Sequence, residues 1–215
     1  MGTYIEKPEN VFGSAWVFDN ARVSDNARVY GGAQVFGSAW VSDNAEVFNN
    51  ARVSDNARVL DNAEVSGSAR VFGNAWVFDR AQVSDKACVF GRARVFGDAQ
   101  VLDNAQVSDN ARVYGNALVS GGALVSGDGR VSKTRDYIIV GPAISSGHIT
   151  TAHRDAKLGV RVNCGCFSGT IPEFKARIES THKDNGPALE QYRCFAALIE
   201  AHFALADWQD QIEDK

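Results

Sequence analysis

The sequence has few cysteines and prolines, and it has no long hydrophobic run. Four cysteines among 215 residues are too few for a disulfide framework, which favours a reducing compartment. No stretch approaches the roughly 18 apolar residues that a membrane-spanning helix needs. The start of the chain also lacks a basic-then-apolar export signal. We therefore expect a cytoplasmic protein without a membrane segment.

An excess of basic residues is absent as well. The formal net charge is -4, and the repeats described below are close to neutral, whereas the segment after them is acidic. General binding to DNA or RNA needs a broad positive field that attracts phosphates. We therefore expect no general nucleic-acid binding.

Valine recurs at every sixth position from Val11 to Val131, and alanine follows four places later, from Ala15 to Ala123. This period matches neither the helical turn nor the heptad, but it equals short strand steps plus a corner. The middle positions are mostly Gly, Asp, Asn and Ser. These residues form corners because they tolerate positive φ or bond to their own backbone. The repeat predicts a solenoid with valine and alanine pointing inward.

Three repeats make one triangular coil of about 18 residues, so about seven coils are expected, stacked about 4.8 Å apart. Low-complexity disorder is the alternative, and a hydrophobic content of 45% with an unbroken valine register argues against it. We expect an N-terminal cap over residues 1–10, the repeat solenoid over 11–135 and a small α+β domain over 136–215.

The pattern after the repeats predicts three strands followed by two helices. The expected strands are residues 137–142, 147–153 and 158–164. Thr170 and Glu173 form the capping box of a first helix that ends near His182. The second helix follows residue 187 and has an apolar stripe formed by Leu189, Tyr192, Phe195, Ala196, Ile199 and Phe203.

Residues one coil apart form columns on the outside of the predicted solenoid. The Arg/Trp column consists of Arg22, Trp40, Arg58, Trp76, Arg94, Arg112 and Arg130. The neighbouring aromatic column contains Phe78, Phe96 and Tyr114. Stacking of guanidinium groups on indoles stabilises such a column by itself. Alternatively, arginine and tryptophan anchor interfaces, and a monomer seldom exposes so many aromatics. We expect identical subunits, most simply a trimer, to cover them.

The candidate binding residues come from these two columns. They are Trp40, Arg58, Trp76, Phe78, Arg94, Phe96, Arg112 and Tyr114. In one version of this hypothesis, the arginines contact a small anion such as a nucleotide, and a tryptophan stacks on its ring.

All four histidines and three of the four cysteines follow the repeats. Cys164 or Cys166 is a catalytic candidate, with His153 or His182 as the base that activates the thiol. The simpler interpretation is a tight turn of small residues with histidines in ordinary polar contacts. We expect no metal, because structural zinc sites usually have a second cysteine pair, and no cofactor.

The repeats that begin at Val71, Val95 and Val113, with segments 162–166 and 169–174, resemble hexapeptide-repeat proteins of bacteriophages and prophages. Such chains are often described as polymer-forming proteins or hexapeptide transferases. The resemblance implies an all-β solenoid, a left-handed parallel β-helix, followed here by the α+β domain. It also implies a phage-encoded protein in the host cytoplasm.

The function expected from these observations is non-catalytic binding and assembly. The partner is a host protein or a small anionic ligand, and a phage source favours an anti-defence role. The alternative is an acyltransferase that uses acetyl-CoA or another acyl donor. The hexapeptide acyltransferases that this chain resembles typically use a histidine on the β-helix, and often a loop that interrupts the coils. Here no histidine precedes His148, and no loop interrupts the repeats.

Overall fold

The computed structural model describes residues 2–213, with side chains for residues 2–207. The chain forms two compact units. The first unit contains the residues up to Asp128 together with Ser132–Thr134. The second contains Gly129–Val131 and the residues from Arg135 onward. No helix of the described residues is long and apolar enough to cross a membrane.

The first unit is a parallel β-solenoid of about seven turns. Each turn supplies one two-residue strand to each of three faces. Its first face contains Tyr4–Ile5, Arg22–Val23, Trp40–Val41, Arg58–Val59, Trp76–Val77, Arg94–Val95 and Arg112–Val113. The second contains Arg28–Val29, Glu46–Val47, Glu64–Val65, Gln82–Val83, Gln100–Val101 and Leu118–Val119. The third contains Trp16–Val17, Gln34–Val35, Arg52–Val53, Arg70–Val71, Cys88–Val89, Gln106–Val107 and Leu124–Val125.

Strands that are one coil apart pair in parallel, with Trp76 opposite both Arg58 and Arg94. The predicted coil length of 18 residues is therefore confirmed. The inward valines and alanines from Ala21 to Val125 are fully buried, as the repeat predicts. The coils are joined by backbone hydrogen bonds such as that from Arg58 N to Ala75 O, at 2.9 Å. Stacking thus both fills the core and satisfies the backbone.

The corners differ from the prediction in how their side chains bond. Nine aspartates and Asn49 adopt positive φ at these corners, and glycine takes the equivalent place elsewhere. The Asp55 carboxylate does not bond to its own backbone as expected. Its Oδ2 accepts a hydrogen bond of 2.9 Å from Gly73 N, one coil further on. The corner side chains therefore link successive coils.

The N-terminal residues lie against the first coils of the solenoid. Tyr4–Ile5 pairs with Arg22–Val23, and a short 3-10 helix follows at Pro8–Asn10. The Asn10 side chain is buried, and its Nδ2 donates a 2.7 Å hydrogen bond to Ala27 O. This segment covers part of the exposed backbone at the end of the solenoid.

The second unit contains a four-stranded antiparallel sheet and two helices. The strands, in chain and spatial order, are Tyr137–Val140, Thr150–Asp155, Gly159–Cys164 and Phe167–Gly169. Helix α1 is Ile171–His182 and helix α2 is Gly186–Glu213. The unit also contains the two-residue strand Arg130–Val131. A 3-10 helix occupies Thr134–Asp136, where the two units meet in the sequence.

The three predicted strands and both predicted helices are confirmed, with small shifts in their bounds. The fourth strand was missed, because Phe167–Gly169 is only three residues long and pairs across a two-residue turn with the strand before it. The Thr170 cap is present: Glu173 N donates to Thr170 Oγ1 at 3.4 Å, and Thr170 N donates to Glu173 Oε2 at 2.7 Å.

One hydrophobic core joins the helices to the sheet of the second unit. Its buried members are Val140, Ala143, Ala152, Val162, Phe174, Ile178, Tyr192, Ala196, Ile199 and Phe203. The predicted apolar stripe of α2 supplies four of these residues, and Leu189 and Phe195 at its margins are half-buried. Both helices are therefore fixed by burial of an apolar face rather than by helix propensity alone.

Candidate functional site

The Arg/Trp column lies on the first face of the solenoid, in the predicted order from Arg22 to Arg112. The guanidinium carbon of Arg58 lies 5.5 Å from the Trp40 ring centroid and 4.7 Å from that of Trp76. On the other side of Trp76, the Arg94 guanidinium carbon lies 5.4 Å from the same ring centroid. Cation–π contacts of this kind contribute about 0.5–1 kcal/mol each at exposed sites. The column therefore stabilises the stacking of its own coils.

The aromatic column lies beside the Arg/Trp column, two residues further along each coil. The rings of Phe78 and Phe96 stack with centroids 4.9 Å apart, and those of Phe96 and Tyr114 with centroids 5.2 Å apart. Trp76 meets Phe78 edge to face, at 6.4 Å. The structure thus places all eight candidate binding residues of the first face in two adjacent columns.

Stacking leaves the inner aromatic residues half-buried, not freely exposed as the sequence suggested. The large apolar side chains that remain exposed in the solenoid concentrate at its N-terminal end. They are Tyr4, Ile5, Phe12, Trp16 and Phe18, with Leu118 near the other end. Trp16 is the most exposed of these, at 67%. A partner that covers apolar surface would therefore find it mainly at the N-terminal coils.

A groove of about 650 Å³ runs along the N-terminal part of the first face. We call it the Arg/Trp groove, and its lining residues are Gly2, Tyr4, Asn20, Arg22, Ser38, Trp40, Asn56 and Arg58. Sequence reasoning missed Tyr4, which precedes the valine repeat. Its distance of one coil from Arg22 was the available signal, and the Arg22 guanidinium lies 5.6 Å from the Tyr4 ring.

The arginines of the Arg/Trp column differ in ion pairing from other arginines of the solenoid. Elsewhere on the solenoid, Arg28 Nη1 lies 3.1 Å from Glu46 Oε1, and Arg80 Nε lies 2.7 Å from Asp98 Oδ1. Within residues 2–207, no such ion pair forms at the column positions from Arg22 to Arg112. Among the described side chains, the first face therefore presents a line of arginines without ion pairs, interleaved with aromatic rings.

The C-terminal unit contains a second concave site, which we call the thiol pocket. It has a volume of about 230 Å³. Its lining residues are Ser146, His148, Cys164, Gly165, Cys166, Phe167, Phe174, Arg177, Ile178, Thr181, His182 and Tyr192. The sequence candidates Cys164, Cys166 and His182 thus line one cavity. Cys166 is exposed and Cys164 is partly buried.

The histidine that lies against the cysteine turn is His148, which sequence reasoning did not select. A Cβ placed on Gly165 would lie 3.2 Å from His148 Nδ1. No local sequence pattern predicts this contact, because His148 and Gly165 belong to different segments that the sheet brings together. Also in the pocket lining, the His182 ring stacks on Tyr192 with centroids 4.8 Å apart.

Tyr192 also contacts the polar side of this pocket. Its hydroxyl lies 3.0 Å from Ser146 Oγ. Burial raises the pKa of Tyr192, the Ser146 hydrogen bond opposes that shift, and Cys164 adds to it. The phenol therefore stays protonated at neutral pH.

His153 lies in the interior of the unit and is not part of the thiol pocket. Its Nδ1 donates to Arg154 O at 2.9 Å, so that Nε2 accepts from Asn163 Nδ2 at 3.3 Å. Burial lowers the pKa of His153. Among the described residues, no group of three or more His, Cys, Asp or Glu side chains is arranged to hold a metal ion.

Comparison with known proteins bears on the solenoid alone. A family model described as YdcK Beta solenoid repeat matches residues 21–37, 51–67, 105–121 and 111–127. No curated protein and no solved structure matches the chain. The matched segments all lie in the coils described above. In sequence and in structure, this chain is therefore a repeat β-helix protein whose coils are similar to the YdcK β-solenoid repeat.

Proposed function

We propose that this chain is a non-catalytic binding and assembly protein whose Arg/Trp groove takes a small anion carrying a planar ring, as a nucleotide does. The supporting observation is that Arg22 and Arg58 flank Trp40 in a groove of about 650 Å³. Neither arginine has a carboxylate partner within the described side chains. Guanidinium groups bind phosphates by charge-assisted hydrogen bonds, and indoles stack on planar rings.

The two faces of Trp40 differ in their contacts with arginine. Arg58 stacks on Trp40, whereas the Arg22 guanidinium stacks on Tyr4. The Arg22 side of the indole is therefore not covered by a cation among the described side chains. Asn20, Ser38 and Asn56 line the same groove, and their polar groups can bond a sugar or a phosphate. A ligand at this place would meet a ring, two positive charges and neutral donors together.

Isothermal titration calorimetry with AMP tests this proposal, with adenosine and ribose 5-phosphate as the ring-only and anion-only probes. AMP should bind more tightly than either fragment. Trp40→Ala and Arg58→Ala should each weaken AMP binding by roughly tenfold, since a stack or a charged hydrogen bond contributes about 1–2 kcal/mol. Equal binding of AMP by these variants and the unmodified chain would reject the groove.

Arg70→Ala is the matched control. Arg70 also belongs to a strand of the solenoid and stacks on an aromatic ring, with its guanidinium 5.1 Å from the Phe72 centroid. It lies on the third face, away from the groove, so its loss should leave AMP affinity unchanged. The double variant Trp76→Ala/Arg94→Ala shows whether the site extends to the next coils, because these residues continue the column.

The assembly part of the proposal concerns identical subunits, a trimer being the form that the family resemblance favours. It is supported by the exposed apolar residues at the N-terminal coils, including Trp16 on the outermost strand of the third face. Light scattering at micromolar concentration should give a multiple of 23.2 kDa. Trp16→Lys should shift the population toward the monomer. A monomer mass for the unmodified chain would remove the assembly proposal and leave the ligand proposal standing.

Acyl transfer is distinguished by a separate assay. The solenoid carries no histidine, so the base that resembling acyltransferases use is missing from its faces. Incubation with acetyl-CoA and varied amines should release no free thiol above the rate without protein. Release that depends on the protein would favour the enzyme over the binding module.

A further inference from the structure

The thiol pocket is a site with its own ligand chemistry. We infer that it binds a small carboxylic acid with an apolar body, seated on the aromatic floor with its carboxylate at Arg177. This inference concerns the C-terminal unit alone and does not depend on the Arg/Trp groove. It is carried by the shape of the cavity, the chemistry of its walls and the pairing of the charges on α1.

The floor of the pocket is apolar and fixed. Phe174 and Ile178 on α1 and Tyr192 on α2 are each less than 5% exposed, and they belong to the core of the unit. The Phe174 and Tyr192 rings meet at nearly a right angle, with centroids 6.3 Å apart. Because these side chains are held by the core, the cavity persists without a ligand and offers a preformed apolar surface.

Arg177 brings a cationic side chain to the pocket lining. Arg177 is exposed on α1, one turn before Thr181, and both line the cavity. Within the side chains that the structure describes, no carboxylate pairs with Arg177. By contrast, Lys175, two residues before Arg177 on α1, does form an ion pair. Its Nζ lies 2.6 Å from Glu200 Oε1. Arg177 is thus free to receive the carboxylate of a ligand.

The carboxylate of the chain that borders this region is already engaged. Glu173 lies on α1 one turn before Arg177, and its Oε2 accepts hydrogen bonds from Thr170 N at 2.7 Å and Thr170 Oγ1 at 2.8 Å. The helix cap therefore engages Glu173 Oε2, and the described side chains show no ion pair between Glu173 and Arg177. A bound anion could therefore pair with Arg177 without displacing a carboxylate among the described side chains.

The size of the cavity limits the ligand. At about 230 Å³, it lies below the roughly 300–1,000 Å³ of sites for drug-sized molecules. An acid with one ring or a short branched chain is the class that fits. A guanidinium and a carboxylate pair through two parallel hydrogen bonds, so the charge at the mouth also orients the body toward the floor.

Cys166 provides a reporter inside the chain. Its side chain is exposed, and it lines the pocket together with Arg177. A ligand in the pocket should therefore shield its thiol from alkylation. Cys194 is also exposed but does not line the pocket, so it is an internal control in the same molecule.

The experiment measures the rate of iodoacetamide alkylation at each cysteine by peptide mass spectrometry, on the full chain. The probe is 3-phenylpropanoate at millimolar concentration, and its cationic counterpart is 3-phenylpropylamine. We expect the acid to slow alkylation of Cys166 at least threefold, with Cys194 unaffected. The amine should give no protection, because its charge is repelled by Arg177.

Two variants locate the charge. Arg177→Gln should abolish protection of Cys166 by the acid, whereas Lys175→Gln should preserve it. Both positions are on the exposed side of α1, so neither change removes a core contact. Titration calorimetry with the same probe gives a second reading of affinity, in which Arg177→Gln should bind at least fivefold more weakly.

Three results would overturn the inference. Equal protection by the acid and the amine would show that charge plays no part. Protection that survives Arg177→Gln would place the carboxylate elsewhere. No protection of Cys166 in the unmodified chain at saturating probe would show that the cavity does not take this class of ligand.

Discussion

The corners of the solenoid show how single residues hold successive coils together. Aspartate at positive φ carries a backbone strain that glycine avoids. In exchange, its carboxylate accepts a backbone N–H of the next coil, as Asp79 Oδ2 does from Gly97 N at 2.9 Å. The same bond joins Asp103 to Gly121 and Asp109 to Gly127, also at 2.9 Å. Each such aspartate therefore offsets the strain of its positive φ with a hydrogen bond to the next coil.

Gly67 tests this exchange directly. It has a φ of +67°, and an added Cβ would lie 2.7 Å from Asp85 N. Gly67→Ala should lower the free energy of unfolding by about 1–3 kcal/mol, because alanine brings strain and close approach without a new bond. Gly67→Asp should lose about 1 kcal/mol less, since its carboxylate can accept from Asp85 N–H. Urea unfolding followed by circular dichroism gives both values.

Gly147→Ala separates strain from close approach. Gly147 has a φ of +68°, and an added Cβ would meet no atom within 4 Å. Its cost should therefore be that of the backbone conformation alone, and smaller than that of Gly67→Ala. If Gly67→Ala and Gly67→Asp proved equally destabilising, the carboxylate would contribute nothing to the stacking of coils.

At the scale of elements, the sequence predicts what is periodic and misses what is not. Val11 to Val131 and the stripe of α2 repeat a spacing that only one kind of element satisfies, so both were found. The Thr170 cap was found because a capping box is a local pattern. The strand Phe167–Gly169 and the contact between His148 and Gly165 depend on which segments pair in space. The sequence therefore predicted two cysteines of the thiol pocket but not the histidine beside them.

The strand Thr150–Asp155 also makes a prediction about pH. Burial lowers the pKa of His153 below its ordinary value of 6.5, so the unfolded chain binds a proton that the folded unit does not. The stability due to neutral His153 is thus present above about pH 6.5 and is lost as the pH falls below it. Thermal unfolding of the C-terminal unit should shift to lower temperature between pH 7 and pH 5.

His153→Gln should remove that shift, because glutamine keeps a polar group and does not titrate there. Asp155 contributes to stability in a different pH range. Burial disfavours its charged form, but the hydrogen bonds from Arg161 Nε, at 2.7 Å, and from two backbone N–H groups outweigh burial and lower the pKa of Asp155 below 3.8. Its contribution is lost only as the pH falls below about that value. A slope between pH 7 and pH 5 that is unchanged in His153→Gln would contradict the assignment to His153.

For the whole molecule, the important property is that the core and the outer surface follow different periods. Each repeat supplies its own inward valine and alanine, so the core is conserved when a repeat is removed. The outer columns need three repeats to return to the same face. Because each coil contacts only its neighbours, stability is close to a sum over coils. Deletions of different length should therefore separate folding from binding.

Deleting residues 59–76 removes one whole coil and joins Arg58 to Val77. The Arg/Trp groove up to Arg58 stays intact, and Arg94 becomes the next member of the column. This variant should fold, bind AMP as tightly as the full chain, and unfold with an m-value roughly a tenth lower, because less surface is exposed on unfolding.

Deleting residues 41–46 instead joins Trp40 to Val47 and keeps the valine spacing. Every later residue then moves by one face, so Glu64 replaces Arg58 beside Trp40. The protein should show the same β-rich circular dichroism spectrum and lose AMP binding, since a carboxylate repels the phosphate where a guanidinium attracted it. Cooperative unfolding of both variants, measured in urea, shows that the core tolerates either deletion. If the shorter deletion bound AMP unchanged, the order of residues along the column would be irrelevant and the groove would not be the site.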